Sequence, residues 1–390
     1  MPFDPIPQTD PRAAYLAQKA EIDAAIAQVL ESGQYILGPV AERFERDFAT
    51  FLGVAHGIGC ASGTDALELA LRACGIGAGD LVFTVSHTAV ATVAAIERAG
   101  ATPVLVDIEP DGFVMDPAAL DAALRNPPPG RPAAVLPVHL YGEPADLTVI
   151  GELARGYGLR VIEDCAQSHG AHYRGRAVGS FGDIACFSFY PTKNLGALGD
   201  AGIIAAADPS LAEAAREIRE YGWRERYVSA RSGINTRLDP IQAAILAVKL
   251  PRLESDNRRR QAIAARYDNG LVRLPIALPP RRAGASHVFH QYVIRSASRD
   301  RLREHLRAAA IGTGIHYPVP VHLHPAYRDR VPVGPTGLRA SERVAGEILS
   351  LPIYPQLSDA AVDRVIAEIQ EFFVSEQVAD FTTTDHCNQS

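Results

Sequence analysis

Residues 183–202 read DIACFSFYPTKNLGALGDAG. An apolar run of strand character ends in Ser188-Phe189-Tyr190. A turn then carries Lys193, and three glycines follow within nine residues. A lysine between an apolar strand and a glycine-rich loop loses hydration. Lost hydration lowers an amine's pKa, which makes it a usable nucleophile for Schiff-base chemistry. The same context also suits an exposed turn lysine. The chain holds three lysines, Lys19, Lys193 and Lys249, against 35 arginines, so any amine chemistry has three candidates. Lys19 and Lys249 lie in helical patterns and read as solvated. No lysine follows a glycine, which removes the Walker-type phosphate loop.

Outward from this stretch, residues 54–207 alternate short apolar runs with amphipathic helices. The runs are AHGIGCA, LVFTV, TPVLVDI, AAVLPVHL, LRVIEDCA, DIACFSF and AGIIAAA. Such alternation indicates an α/β fold with a mostly parallel seven-stranded sheet covered on both faces. Helical patterns precede it at about 13–31 and 40–51, the second carrying Phe44, Phe48 and Phe51. We therefore place a large α/β domain at 13–250 and a smaller C-terminal α+β domain at 251–375. A last helix is expected at 358–374, and residues 376–390 read as a disordered tail. Arg258, Arg259 and Arg260 read as a solvated helix face.

Two further segments place chemistry at strand ends. VIEDCAQSHGA, residues 161–171, delivers Glu163 and Asp164 at the carboxyl end of a strand, where open α/β sheets bind ligands. A carboxylate there pairs with a ring nitrogen or caps a helix. GCASGTDALELAL, residues 59–71, ends a strand at Ser62-Gly63-Thr64 and opens a helix. The pattern fits a phosphate cradle on a helix N-terminus or an ordinary capped helix. A cradle, a carboxylate and a lysine at strand ends of one domain are what a pyridoxal-phosphate enzyme needs.

Composition bounds the rest. The 390 residues sum to a net charge of −7, which argues against nucleic-acid binding. The five cysteines are odd in number, lack Cys-x-x-Cys spacing and read as reduced. There is no signal-peptide pattern and no long apolar run, so a cytoplasmic protein without membrane attachment is expected.

The sequence resembles the DegT/DnrJ/EryC1/StrS family of sugar aminotransferases, over about residues 34–371. The blocks that carry the resemblance are GQYILGP, SGTDALELAL, SHTAVATVAAIERAGATPVLVDIEPD, HLYGEPADL, EDCAQSHGA, GDIACFSFYPTKNLGALGDAG, NTRLDPIQAAIL and HYPVPVHLHPAY. The resemblance implies the aspartate-aminotransferase fold (fold type I) and pyridoxal 5'-phosphate as cofactor. It implies that Lys193 forms the imine with the cofactor and shuttles protons. Asp164 is expected on the pyridine nitrogen and Gln167 near the 3' oxygen. Gly63, Thr64 and Ser188 are expected on the phosphate, joined by Asn235 of a neighbouring subunit, which implies a homodimer with shared sites. Where many relatives stack an aromatic on the cofactor, this chain has Ala89, and His87 is the nearest substitute.

The family reading further places Tyr35, Tyr190, Arg237, His316, Tyr317 and His322 around the substrate. The spacing of His316, His322 and His324 is too loose for zinc, and no metal is expected. The blocks look most like members that aminate a dTDP-3-keto-6-deoxyhexose, with L-glutamate as donor. C4 amination of a dTDP-, UDP- or GDP-linked 4-keto sugar is the alternative. A non-catalytic PLP-binding sensor is the alternative from another class.

Overall fold

The computed structural model describes residues 4–387. Its centre is one sheet of β1 (His56–Cys60), β2 (Asp80–Val85), β3 (Thr102–Val106), β4 (Arg131–Val135), β5 (Arg160–Asp164), β6 (Ile184–Ser188) and β7 (Gly202–Ala206). Across the sheet the order is β1-β7-β6-β5-β4-β2-β3. The seven strands are those the apolar runs predict. Six of them point the same way, and β7 alone runs antiparallel to both of its neighbours. The reason lies in the connections. A parallel pair needs a crossover, here usually a helix, whereas an antiparallel pair closes through a direct return. Residues 189–201 contain no helix and return β6 straight into β7, pairing Ser188 with Gly202. Lys193 sits on that return.

The sheet packs into a continuous apolar core that includes Ile58, Leu69, Phe83, Val104, Ile162 and Ile204. In a second cluster the helix Pro39–Leu52 presents Phe44 and Phe48 at helical spacing. Phe48 meets Phe187 edge-on at 5.0 Å, and Phe44 meets Phe189 at 5.4 Å. These contacts clamp β6 and the start of the lysine turn. Beyond the sheet, the helices Leu253–Leu271, Arg299–Ala308 and Asp359–Cys387 pack around the antiparallel pair Tyr292–Arg295 and Ile348–Leu351. Ile6 joins this second core and bridges Ile311, so the N-terminal segment returns to the C-terminal unit.

The structure departs from the sequence reading at three places. The last helix runs to Cys387, beyond residue 374 and through most of the expected tail. No proline or glycine follows Pro355 to stop it; residues 388–390 lie outside the described residues. Arg260 is buried rather than solvated, and donates to the carbonyls of Phe289 at 3.1 Å and Ile353 at 3.0 Å. Lys249 is buried and donates to the Gly196 carbonyl. Among the described residues no helix is long and apolar enough to cross a membrane.

Glu163 ties the sheet to the loop beyond β5. Its carboxylate accepts from the backbone N–H groups of Gly179, Phe181 and Gly182 and from His139 Nε2, at 2.7–3.2 Å. Burial alone would raise its pKa, but the hydrogen bonds from His139 and the backbone outweigh burial and hold it below its ordinary value. Its stabilising effect is therefore full above about pH 4.5 and fades as the pH falls below that. Glu163→Ala strands four buried donors and is expected to cost about 3–5 kcal/mol, read as a lowered urea midpoint at pH 7. The difference from wild type should shrink when the same titration is run at pH 4.

Candidate active site

The carboxyl ends of β1, β5 and β6 open onto a cavity of about 230 Å³. Its walls include Ser62, Gly63, Thr64, Ser188, Asp164 and Lys193. Each of the three segments singled out in the sequence therefore delivers its residues to one place. The packing explains how. Gly202 opens β7 against Ser62, and a Cβ on Gly202 would lie 2.3 Å from the Ser62 carbonyl oxygen. A Cβ on Gly63 would lie 2.5 Å from Ser188 Cβ. Only glycine permits this approach of the helix start to the β6–β7 return.

The helix Gly63–Ala73 is capped by Ser62, whose Oγ accepts from Asp65 N at 3.1 Å. The N–H groups of Gly63 and Thr64 have no backbone acceptor, as the first turn of a helix dictates. With the Ser188 hydroxyl beside them they form an anion cradle with the positive end of the helix dipole behind it. Burial pushes the Lys193 amine down to about 8, against the opposing pull of Asp164. Burial pushes the Asp164 carboxyl up, against hydrogen bonds from the Ala166 N–H and the Thr92 hydroxyl and the nearby Lys193 charge. Those bonds are 3.1 Å to Oδ1 and 2.9 Å to Oδ2. A buried carboxylate with no ion-pair partner among the described residues, an amine depressed toward neutrality and an anion cradle fit pyridoxal phosphate as a set. Ring nitrogen, aldehyde and phosphate each find a complementary group.

The other predicted residues divide. Gln167, Tyr190 and Ala89 line the cavity. Gln167 Oε1 accepts from Tyr141 N at 2.7 Å, which leaves its amide N–H groups to donate; its Nε2 lies 3.3 Å from the Tyr317 hydroxyl. His316 lies close enough to feel Lys193, although burial is the larger cause lowering its pKa. Its Nδ1 is 2.9 Å from Ser350 Oγ. His87 does not line the cavity and is no substitute for an aromatic at Ala89. It is fully buried, with Nε2 on the Tyr141 hydroxyl at 2.8 Å, and burial lowers it to about 4. His322 is held between Ser86 Oγ at 2.7 Å and Glu342 at 3.1 Å, outside the cavity lining. Tyr35 and Asn235 are exposed, and Arg237 is half-buried; none of them lines the cavity of the single chain.

His139, Glu163 and Cys165 lie close enough to suggest a metal site. The His139 ring is already committed, with Nδ1 accepting from Ala145 N at 3.0 Å and Nε2 donating to Glu163. The cluster is a structural hydrogen-bond network.

The family model of the DegT/DnrJ/EryC1/StrS aminotransferases matches residues 17–370. This chain belongs to that family. It is an aminotransferase, and its cofactor is pyridoxal 5'-phosphate. The dTDP-3-amino-3,4,6-trideoxy-α-D-glucose transaminase of Streptomyces venezuelae is 48% identical over 369 residues, covering 94% of this chain and 96% of that one. The crystal structure of DesV from S. venezuelae in complex with a ketimine intermediate superposes with a TM-score of 0.91 at 47% identity, covering 95% and 99% of the two chains. NtdA from Bacillus subtilis, solved with bound PMP, gives 0.83 at 30% identity, covering 91% and 82%.

Sequence reading missed Thr92 and Thr88. Thr92 donates to Asp164 and is itself 2.9 Å from Thr88 Oγ1. Thr92 lies in the first turn of the helix Val90–Arg98 and Thr88 two residues before it, so the hydroxyls of SHTAVATVAAI ahead of a helical run were the available signal. Removing the Thr92 hydroxyl takes away one of the bonds that favour the charged carboxylate. Thr92→Val is expected to weaken cofactor binding about tenfold, the loss of one hydrogen bond to a charged group. Equilibrium dialysis against pyridoxal phosphate checks this, with thermal stability as the control.

Proposed function

We propose that this enzyme, a cytoplasmic homodimer, transfers the amino group of L-glutamate to the C3 ketone of a dTDP-linked 3-keto-6-deoxyhexose. The product is the corresponding dTDP-3-amino-3,6-dideoxyhexose. The observation that carries the proposal is the convergence of Lys193, Asp164 and the Gly63–Ser188 cradle on one cavity. The 48% identity to a dTDP-3-amino-sugar transaminase supports the substrate class.

When bound, pyridoxal phosphate supplies an electron sink for the charge left on carbon as a proton departs. The chain's own residues do the rest. Gly63 and Thr64 N–H groups and Ser188 Oγ would hold the phosphate. Asp164, kept in place by Thr92 and Ala166, would pair with the ring nitrogen and favour its protonated form. Gln167 would donate to the ring oxygen. Lys193 Nζ takes the proton from the donor's α-carbon and returns one to the former ketone carbon of the acceptor. An amine with a pKa of about 8 is suited to both directions near neutral pH.

Tyr190 lines the cavity, Tyr317 meets Gln167 and His316 lies near Lys193, which supports placing the sugar beside these three. Arg237 has no ion-pair partner among the described residues, and its planar fork suits a diphosphate. Asn235 lies on the surface beside Thr236; a second subunit would bring it to the phosphate. The exposed apolar side chains Tyr35, Ile36, Tyr221, Tyr227 and Val228 offer surface for that subunit to cover.

Purified enzyme is expected to show a visible band that L-glutamate bleaches and a dTDP-3-keto-6-deoxyhexose restores. Restoration by 4-keto sugars alone would overturn the C3 assignment, and a protein that never takes up the cofactor would overturn the reading of the site. For the dimer, mixing Lys193→Ala chains with Asn235→Ala chains should regenerate activity that neither variant has. One of the two sites in each hybrid receives an intact lysine and an intact asparagine. No regeneration on mixing, with hybrids formed, means that Asn235 does not act across the interface.

A further inference from the structure

Lys193 borders two cavities, and it is the one lining residue that they share. The second is a small polar pocket of about 40 Å³ between the 191–196 turn and the N-terminal segment. Gln18, Asn194, Lys249, Asp256 and Arg260 line it. Lys193 thus sits between two spaces, and catalysis needs its amine in only one of them.

Lys249 ends the helix Pro240–Lys249 and is 8% exposed. Its Nζ donates to the Gly196 carbonyl at 2.6 Å, three residues past Lys193. Among the described residues it has no ion-pair partner, and Asp256 acts on it only at longer range. A buried ammonium held by one carbonyl is costly, and burial lowers this one to about 8. The position stands out in a chain with 35 arginines and three lysines. A compact ammonium suits a single carbonyl in a tight space, where a planar guanidinium with five donors does not.

Gly196 transmits the contact. A Cβ there would lie 2.4 Å from the Pro191 carbonyl oxygen and 3.2 Å from that of Lys193. The turn is therefore folded on itself, and a tie at Gly196 is a tie on the Lys193 backbone. Asn194 supplies a second, neutral tie through Asn257 at 2.8 Å and the Val288 carbonyl at 2.9 Å.

We propose that Lys249 is a positioning residue for Lys193. It fixes the turn through Gly196 and occupies the rear pocket with a like charge, so that Lys193 Nζ faces the cofactor cavity. The inference rests on Lys193 being the reactive amine.

The test compares holoenzymes of wild type, Lys249→Met and Lys249→Arg, with Lys193→Ala beside them. Borohydride reduction followed by intact mass reads the fraction of chains covalently joined to the cofactor. Alkaline release reads total bound cofactor. In Lys249→Met we expect total cofactor to be unchanged and the joined fraction to fall. We expect kcat to fall about tenfold to a hundredfold while KM for L-glutamate stays within about twofold, as for a misplaced catalytic group. Lys249→Arg, which keeps a charged donor, should recover part of the joined fraction. A wild-type joined fraction and kcat in Lys249→Met overturns the inference, as does parallel loss of joined and total cofactor, which marks a merely structural lysine. If the methionine variant does not fold, Lys249→Gln replaces it with the same outcomes. Lys193→Ala separates the two readings: if it keeps activity, the assignment of Lys193 fails; if it is dead while Lys249→Met is normal, only the role of Lys249 fails.

Discussion

The site depends on one close contact, the approach of the Gly202 backbone to the Ser62 carbonyl. Any side chain at Gly202 or Gly63 would push β7 and the β6–β7 return away from the start of the helix Gly63–Ala73. That contact sets the distance between the anion cradle, which belongs to β1 and its helix, and Lys193, which belongs to the return. Asp164 follows from it, because β5 pairs with β6 in register up to Cys186. The aromatic clamp of Phe44 and Phe48 on Phe187 and Phe189 then keeps the strand beneath the turn from shifting. Tertiary packing thus fixes the spacing of three groups that come from three distant parts of the chain.

Burial does the second part of the work. The same desolvation that lowers Lys193 raises Asp164, and each opposes the other's shift. An exposed pair would settle near ordinary values and would be screened by salt. Here the amine is brought within reach of neutral pH, while Thr92 and the Ala166 N–H keep the carboxylate available for a positively charged ring. The enzyme's family membership explains which cofactor meets these groups. Their physical fit does not depend on that membership.

Much of this was legible in the sequence, for identifiable reasons. The seven strands announced themselves as apolar runs because both faces of the sheet are covered. Lys193, Asp164 and Gly63 were legible because each sits at a change of rhythm, where a strand gives way to a turn or a helix. Lys249 and Arg260 were not. The helix of Lys249 is alanine-rich and that of Arg260 arginine-rich, and periodicity tells which residues share a face without telling what packs against it. Both cations lie where the N-terminal segment and the turn close over them, a contact between parts of the chain far apart in sequence. His87 misled for a related reason: position 87 neighbours Ala89 along the chain, yet its ring turns into the core against Tyr141 and Phe113. The last helix continued because helix ends need a stop signal, and none follows Pro355.

The strand order carries a consequence for synthesis. β1 is made early, but among the described residues it pairs with β7 alone, His56 meeting Ala206 across 150 residues of chain. On the ribosome, β1 waits as an unpaired edge while β2 to β6 assemble, and long-range pairing of this kind is slow to form. The anion cradle at its end cannot face Lys193 until β7 has emerged and docked. The cofactor therefore has no place to bind on a nascent chain, and its capture reports that the whole sheet has closed.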